Sequence, residues 1–284
     1  MKIYLLKDRP GYRGIPLMAF STKQGSGAVA HTHDFVEIVL IREGHTIHSW
    51  YDKDGRKHAR TVIKGDVYGI MPGEVHEYID NHNLKTFNLA FMPDIFGAES
   101  GFLETMPCYH DLFNREHLRL YPQHFSLAEK LFLSIMRELR QSNGADHHYL
   151  LAKSRLIEFV NIIAGEPGIR NSGIADPPDE RIIRAAKVME DHICDGISIP
   201  ELAKRAGLCY SMFTARFKNL YGIPPQEYQI LLRLEYACKL LEDTTLSVGE
   251  IAFQCGFYDS NHLLKHFQRH YKQTPKQYRN QLKN

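Results

Sequence analysis

The feature that most constrains the fold is a motif that occurs twice, 49–50 positions apart, in the last hundred residues. Glu201-Leu202-Ala203 stands four residues before Gly207-Leu208, and Glu250-Ile251-Ala252 stands four residues before Gly256-Phe257. The register then gains one residue, and the match continues through Phe213 with Leu263, Phe217 with Phe267, Pro225 with Pro275 and Tyr228 with Tyr278. Two copies are too few for a solenoid, so we expect one module with two similar halves.

Each copy predicts a helix–turn–helix. In the first copy, Leu202 and Ala203 lie on the inner face of a first helix, where the small alanine lets a second helix cross closely. Gly207 follows where the turn needs a residue that tolerates positive φ. The second helix then buries Phe213 and Phe217 at i, i+4 spacing. One copy alone is equally compatible with a plain helical hairpin, but two copies in register favour a DNA-binding module.

The outward face of each second helix is expected to enter the DNA major groove. The predicted DNA-binding residues on these faces are Ser211, Thr214, Lys218, Ser260, Asn261, Leu264, Lys265 and Arg269. Residues 181–284 contain 15 Lys and Arg against 10 Asp and Glu, a net charge of +5, whereas the whole chain carries +2. Positive charge is therefore concentrated where phosphate contacts are expected, and double-stranded DNA is the predicted partner.

The segment from about 181 to 282 resembles the DNA-binding module of the AraC/XylS family of bacterial transcription regulators. The resemblance rests on Gly256-Phe257, Asp259, Phe267, Thr274-Pro275 and Tyr278-Arg279, together with Arg233, Ala237, Leu240 and Leu241 in the linking stretch. It implies seven helices, with two helix–turn–helix motifs joined by a long central helix at about 225–242. It also implies that two successive major grooves are read on one face of the DNA and that RNA polymerase is a partner.

The chain departs from this family pattern at several positions. Arg is usual in the family at Ala215, and Arg216 is one place further around the helix. Gly is usual at Lys272, where the second recognition helix should end, and a lysine in a left-handed cap costs roughly 1 kcal/mol. Phe is more usual at Leu263, and Arg at Lys265. These changes leave the fold intact but alter the contacts available for reading bases.

The first hundred residues show the alternating patterns of β-strands. Strands are predicted at Val36–Ile41, Thr46–Tyr51, Val67–Met71 and Thr86–Phe91, and Asp54-Gly55 predicts a hairpin turn. Many short strands without a helical period predict a sandwich or a barrel.

A second constellation lies among these strands and consists of Gly25, His31, His33, Glu37, Gly44, Gly65-Asp66, Pro72-Gly73 and His76. It resembles the two sequence motifs of the cupin barrel, although the second motif is off by one residue between Gly65 and Pro72. The positional equivalents of the cupin metal ligands are His31, His33, Glu37 and His76. On a strand, His31, His33 and Glu37 share one parity and face the same side of the sheet.

Three interpretations of these four residues remain open. They could bind a divalent metal, hydrogen-bond a hydroxyl-rich small molecule without metal, or form a structural network with no ligand. We favour the metal-free small-molecule site, because regulators of the family that this chain resembles commonly sense small molecules. His31, His33, Glu37 and His76 are therefore the predicted effector-binding residues, with no cofactor expected and a divalent metal as the alternative.

A local resemblance to the regulators of L-rhamnose catabolism within the family suggests the ligand class. It is carried by His33-Asp34-Phe35, Glu37-Ile38-Val39, Asp80-Asn81 and the run from Cys255 to His262. It implies a sugar effector, such as a deoxyhexose or a pentose, and control of carbohydrate-utilisation genes; the sequence leaves open whether the chain is an activator or a repressor. The alternative function is a metal-dependent cupin enzyme fused to a DNA-binding module. Only the four-residue set favours that alternative, so we expect no enzyme.

A helical segment separates the two halves. Phe125–Arg140 and Tyr149–Ala164 are predicted helices that form a hairpin, which in the resembling family often mediates dimerisation and otherwise closes the barrel. The stretches 165–168 and 171–178 are rich in glycine and proline and predict a linker. We therefore predict a two-domain α+β chain: a cupin-like β-barrel with a helical hairpin at 1–165, a linker at 166–180 and an all-α DNA-binding domain at 181–284. A homodimer is expected.

The five cysteines, at 108, 194, 209, 238 and 255, form no close pairs. This spacing disfavours a zinc finger and a disulfide framework and favours a reducing compartment. No apolar run approaches the length of a membrane span, and the first residues do not form a signal peptide. A cytoplasmic location with no membrane partner is the expectation.

Overall fold

The computed structural model describes residues 2–23, 29–52, 55–106, 109–113, 118–144, 146–164, 179–194 and 197–283. The chain forms two compact units. The first comprises Met1–His45, Lys64–Glu77 and Asn81–Pro177, and the second comprises Thr46–Ile63, Tyr78–Asp80 and Pro178–Asn284. Gly25, Asp54 and all of the predicted linker except Asp179 and Glu180 lie outside the described residues.

The β-structure is a single eight-stranded sheet. Its strands are β1 (Lys2–Tyr4), β2 (Leu17–Lys23), β3 (His31–His33), β4 (Val36–Tyr51), β5 (Lys57–Ile63), β6 (Asp66–Ile70), β7 (His76–Phe91) and β8 (Leu118–Arg119). The strand order is β1-β3-β7-β4-β6-β8, with β2 also paired to β7 and β5 also paired to β4. The sheet confirms the prediction of a β-rich N-terminal half.

Two of the strands are longer than predicted. The segments predicted separately at 36–41 and 46–51 are one strand, β4, and β7 begins ten residues before the predicted segment at 86–91. Gly44 lies within β4 at a φ of +75°, and a Cβ there would overlap the carbonyl oxygens of His82 and Asn83 on β7. Glycine at this position therefore lets the two long strands approach closely.

Helices complete the first unit. Leu6–Asp8 and Pro93–Glu99 are 3-10 helical, and the α-helices are α1 (Ser100–Leu103), α2 (Tyr109–Phe113), α3 (Pro122–Gln141) and α4 (His147–Ala164). The predicted helical hairpin is confirmed as α3 and α4, which share a buried apolar core with the sheet. Phe87 of β7 stacks on Phe132 of α3 with ring centroids 4.1 Å apart, so the hairpin is anchored on the strands.

The second unit contains seven α-helices among its described residues, as the family resemblance implied. They are α5 (Glu180–Asp191), α6 (Ile199–Arg205), α7 (Tyr210–Tyr221), α8 (Pro225–Asp243), α9 (Val248–Gln254), α10 (Ser260–Tyr271) and α11 (Pro275–Lys283). The long central helix expected at about 225–242 is α8. The predicted two-part α+β fold class is confirmed. No helix in the described part of the chain has the length and apolar character needed to cross a membrane.

Candidate nucleic-acid interface and effector site

The turn between the two helices has the same backbone geometry in both copies. The amide of Leu208 donates to the carbonyl of Ala203 at 3.0 Å, and the amide of Phe257 donates to that of Ala252 at 2.9 Å. Gly207 and Gly256 adopt φ angles of +64° and +73°, in the left-handed region that favours glycine. The two halves of the sequence repeat therefore fold into the same helix–turn–helix.

Side-chain caps fix where the helices of the second copy begin. Ser247 and Glu250 form a reciprocal capping box at the start of α9. Asp259 accepts a hydrogen bond from the amide of His262 at 2.7 Å and caps α10. The cap sets the first turn of α10 at Ser260 and Asn261, the residues predicted to face DNA.

Each second helix packs on a buried tyrosine. The ring of Phe217 lies 5.3 Å from that of Tyr228, and the ring of Phe267 lies 5.6 Å from that of Tyr278, both edge to face. The tyrosine hydroxyls donate to carboxylates at 2.6 Å, Tyr228 to Glu190 and Tyr278 to Glu242. These glutamates were not identified from the sequence, because each lies 36–38 residues from its tyrosine. The second helix of each motif is therefore packed against an equivalent tyrosine–glutamate pair.

The predicted DNA-binding residues lie along α7 and α10. Ser211 and Lys218 on α7 are exposed, as are Ser260, Asn261, Lys265 and Arg269 on α10. Thr214 and Leu264 are half-buried. The hydroxyl oxygen of Thr214 is shielded from solvent and has no hydrogen-bond partner among the described atoms. The structure therefore brings each predicted set onto one helix, although the Thr214 hydroxyl is shielded from solvent.

Arg216 on α7 faces a different partner. Its Nη1 lies 2.6 Å from Oδ2 of Asp179, whose other oxygen accepts a hydrogen bond from the guanidinium of Arg181 at 2.9 Å. Hydrogen bonds from Arg181 and Arg216 lower the pKa of Asp179 to about 2. Asp179 also caps α5, so Arg216 ties α7 to the start of α5. Asp179 falls in the predicted linker, although an aspartate before a helical run is a recognisable N-cap signal.

Three of the four predicted effector residues converge in the first unit. His33, Glu37 and His76 are buried, and one potential ligand atom from each lies within 4.8 Å of the others. The Nε2 of His33 is 3.5 Å from Oε2 of Glu37, and its Nδ1 is 2.7 Å from the carbonyl oxygen of Phe35. The prediction had His33 and Glu37 on one strand, but His33 ends β3 and Glu37 lies near the start of β4, so they meet across the bend between two strands.

His31 stands beside this group. It pairs with His76 across β3 and β7, and the two rings are 4.2 Å apart. Its Nδ1 lies 3.0 Å from the carbonyl oxygen of Val29, and burial lowers its pKa. The donor set thus consists of His33, Glu37 and His76, with the ring of His31 in contact at its edge.

Asn88 is a member of the cluster that the sequence analysis missed. Its amide nitrogen donates to Oε1 of Glu37 at 2.8 Å, in a buried contact between β7 and β4. Burial acts to raise the pKa of Glu37, but His33, the charge of His76 and the Asn88 amide outweigh it and lower that pKa to about 2. Asn88 lies twelve residues after His76 on one strand, so the even spacing was a usable signal.

The donor set suits either of two ligand types. Imidazole nitrogens and a carboxylate bind zinc at about 2.0–2.2 Å, which places donor atoms around one ion roughly 3–3.5 Å apart. A separation of up to 4.8 Å lets His33, Glu37 and His76 reach an ion after a small contraction. The same groups can hydrogen-bond hydroxyls of a small molecule, since an ionised carboxylate accepts and a neutral imidazole both donates and accepts.

Comparison with known proteins gives two family matches. Residues 19–160 match the AraC-like ligand binding domain, and residues 202–281 match a helix-turn-helix domain. The chain is 29% identical over 255 residues to the HTH-type transcriptional activator RhaS of Klebsiella pneumoniae (strain 342), spanning 88% of this chain and 86% of that protein. RhaS of Yersinia pestis bv. Antiqua (strain Angola) is 28% identical over 256 residues, spanning 89% of each. Among solved structures, the DNA-binding domain of AdpA in complex with a target DNA is 31% identical, with a TM-score of 0.34, over 37% of this chain and 92% of that one.

Proposed function

Because the chain belongs to the AraC family of DNA-binding transcription regulators, we propose that it is an activator of carbohydrate-utilisation genes that responds to a small sugar. The observation that carries the proposal is the combination, in one chain, of two matching helix–turn–helix turns and a buried polar cluster in the β-rich unit. The relatives named RhaS are transcriptional activators by name, which favours activation here. The same relatives are regulators, so we propose no catalytic role.

The buried cluster supports a hydroxyl-rich effector. The Oδ1 of Asn88 is shielded from solvent and has no hydrogen-bond partner among the described atoms. A buried polar group without a partner costs about 1–3 kcal/mol. A sugar hydroxyl can donate a hydrogen bond to this oxygen and so remove the cost. Effector binding at His31, His33, Glu37 and His76, with Asn88 added, is therefore our proposal.

A thermal-shift screen of the full chain against monosaccharides, with and without a chelator, tests the effector. A ligand at 100 times its dissociation constant adds about 2.7 kcal/mol to the stability of the unit that binds it. A rise in melting temperature that one sugar causes, and that persists with chelator, supports the proposal. A shift that chelator abolishes favours the metal alternative for His33, Glu37 and His76. Failure of every sugar contradicts a sugar effector and leaves the DNA-binding role standing.

We propose that the α3–α4 hairpin mediates a homodimer. Leu133, Leu150 and Leu151 are 49%, 61% and 44% exposed, and all three lie on this hairpin. Exposed apolar side chains are a feature of protein–protein interfaces, and these three lie on the two helices of the hairpin. Sedimentation velocity should show a dimer for the natural chain and a monomer for Leu150→Glu. Gln141→Glu, at an exposed position on the same hairpin, adds the same single negative charge and should stay dimeric.

An activator works through RNA polymerase, so we propose polymerase as a partner and the cytoplasm as the compartment. An in vitro transcription assay tests this proposal. It contains purified polymerase, a promoter bound by this protein and the sugar found in the screen. Sugar-dependent transcripts are expected. DNA binding that lowers transcription under all conditions would contradict activation and indicate a repressor.

A further inference from the structure

The helix α10 carries two histidines one turn apart, and neither is among the predicted DNA-binding residues. The Nε2 atoms of His262 and His266 lie 3.1 Å apart, with their ring planes inclined at 79°. Both residues are half-buried, whereas Asn261, Lys265 and Arg269 on the same helix are exposed. Two imidazole nitrogens that face each other at this distance form a converging pair of potential metal ligands.

The separation matches metal coordination. With bonds of about 2.0–2.1 Å, nitrogens 3.1 Å apart subtend an angle of roughly 100° at a shared ion, which lies between octahedral and tetrahedral values. Histidines at i and i+4 share a helix face, which is the spacing that zinc-binding helices use. We propose that His262 and His266 form a two-histidine site on α10 for a divalent transition-metal ion.

The surroundings hold the two rings in place by packing. The ring of Phe257 meets His262 edge-on at 5.5 Å and lies 6.3 Å from His266. The Nδ1 atoms of both histidines are shielded and have no hydrogen-bond partner among the described atoms. A metal ligand usually donates its second N–H to an acceptor that fixes the ring. Here Phe257 supplies the orientation instead, so the site binds more weakly than a fully supported one.

Protons and charge fit a neutral imidazole pair. Without an ion, one Nε2 must carry hydrogen and donate to the other; with an ion, both protons reside on Nδ1 and both Nε2 lone pairs bind the metal. Burial, with the charges of His262, Arg269 and Lys265, lowers the pKa of His266 and favours its neutral, ligating form. The positive charges of Lys265 and Arg269 also oppose a cation. Ions with high affinity for imidazole, Ni²⁺, Cu²⁺ and Zn²⁺, are therefore the ones that the site selects.

Calorimetric titration of the full chain with Ni²⁺ tests this proposal. Replacement of one ligand, His266→Gln, should weaken this binding event by at least about tenfold. His192→Gln is the matched control, because it removes an exposed histidine elsewhere in the second unit and should leave the titration unchanged. Glu37→Gln separates this site from the cluster in the first unit, and the α10 event should survive it. Ni²⁺ binding that is equally strong in the natural chain and in His266→Gln overturns the proposal.

Electron paramagnetic resonance with Cu²⁺ gives a second readout of the α10 site. Coupling of the copper electron to two imidazole nitrogens is expected in Glu37→Gln protein, where the first-unit cluster has lost a ligand. One nitrogen is expected after the further change His262→Gln. If His262→Gln leaves the copper spectrum unchanged, the ion is bound elsewhere and the proposal is overturned. This test does not use His266→Gln, so it holds even if that variant does not fold.

Discussion

The amide of Phe257 donates a hydrogen bond to the carbonyl of Ala252 at 2.9 Å, and Leu208 and Ala203 repeat this contact at 3.0 Å. The bond spans the glycine turn and places an apolar residue between the two helices of each motif. Because the same contact forms in both copies, α7 and α10 leave their turns in the same local geometry. The module therefore presents two equivalent recognition helices.

The glycines of the two turns should differ in their tolerance of a side chain. An L-residue in the left-handed region costs about 1–2 kcal/mol, so Gly207→Ala should lower the free energy of unfolding by about that amount. Gly207 has open space around the added Cβ. At Gly256 the Cβ meets the carbonyl oxygen of Ile193 at 3.2 Å and Nε of Arg233 at 3.3 Å, so Gly256→Ala should cost more. Urea unfolding of both variants measures the difference, and equal losses would contradict the close approach at Gly256.

Lys272 should be a weak point of the second motif. It ends α10 in the left-handed conformation, with φ +56° and ψ +19°, where the first motif has Gly222 at φ +80°. Lys272→Gly should therefore raise the free energy of unfolding by about 1 kcal/mol. The reciprocal change, Gly222→Lys, should lower it by a similar amount. A destabilised Lys272→Gly protein in urea unfolding would show that the lysine side chain contributes more than its backbone strain.

Replacing Arg216 and replacing Lys218 should affect different properties: protein stability in the first case and DNA binding in the second. Arg216 bonds Asp179, so Arg216→Gln should lower stability by under about 1 kcal/mol and leave the salt dependence of DNA binding unchanged. Lys218 is exposed on the face predicted to meet phosphates. Lys218→Gln should weaken binding to all sequences and reduce the salt slope by about 1. Binding measured over a range of salt concentrations distinguishes them, and a reduced slope for Arg216→Gln would assign that residue to the DNA interface.

Asn88 should contribute to both stability and effector binding. Asn88→Ala removes the 2.8 Å hydrogen bond to Glu37 and leaves a buried carboxylate oxygen without that donor, which costs about 1–3 kcal/mol. Thermal unfolding should detect the loss, and the sugar-induced shift should shrink as well. Thr86→Ala, at a buried position two residues earlier on β7, is a control that should keep the sugar response. An undiminished sugar shift in Asn88→Ala would remove Asn88 from the effector site.

The helix–turn–helix module was predictable from sequence because its defining contacts are local. The bonds of Leu208 and Phe257 each reach back five residues, and the glycines that permit them are visible in the repeat. Side-chain contacts between residues far apart in sequence could not be predicted in this way. Asn88 meets Glu37 from 51 residues away and Arg216 meets Asp179 from 37 residues away, so no short motif reveals either contact.

The predicted effector residues also show how far sequence spacing can predict a site. Even spacing grouped His33 with Glu37, and the two do meet, but from the end of β3 and the start of β4 rather than along one strand. It also included His31, whose Nδ1 contacts the backbone of Val29 rather than the carboxylate. Parity gives the face of a strand but not the rotation of a ring, and the ring is what decides ligation.

Hydroxyl-radical footprinting of the full chain on DNA selected for tight binding tests the central claim most directly. Two recognition helices in successive major grooves predict two protected segments about 10 base pairs apart on one face of the duplex. They also predict that Lys218→Gln weakens protection in one segment and Lys265→Gln in the other. A single protected segment, or protection that both variants weaken equally throughout, would contradict the assignment of two separate reading helices.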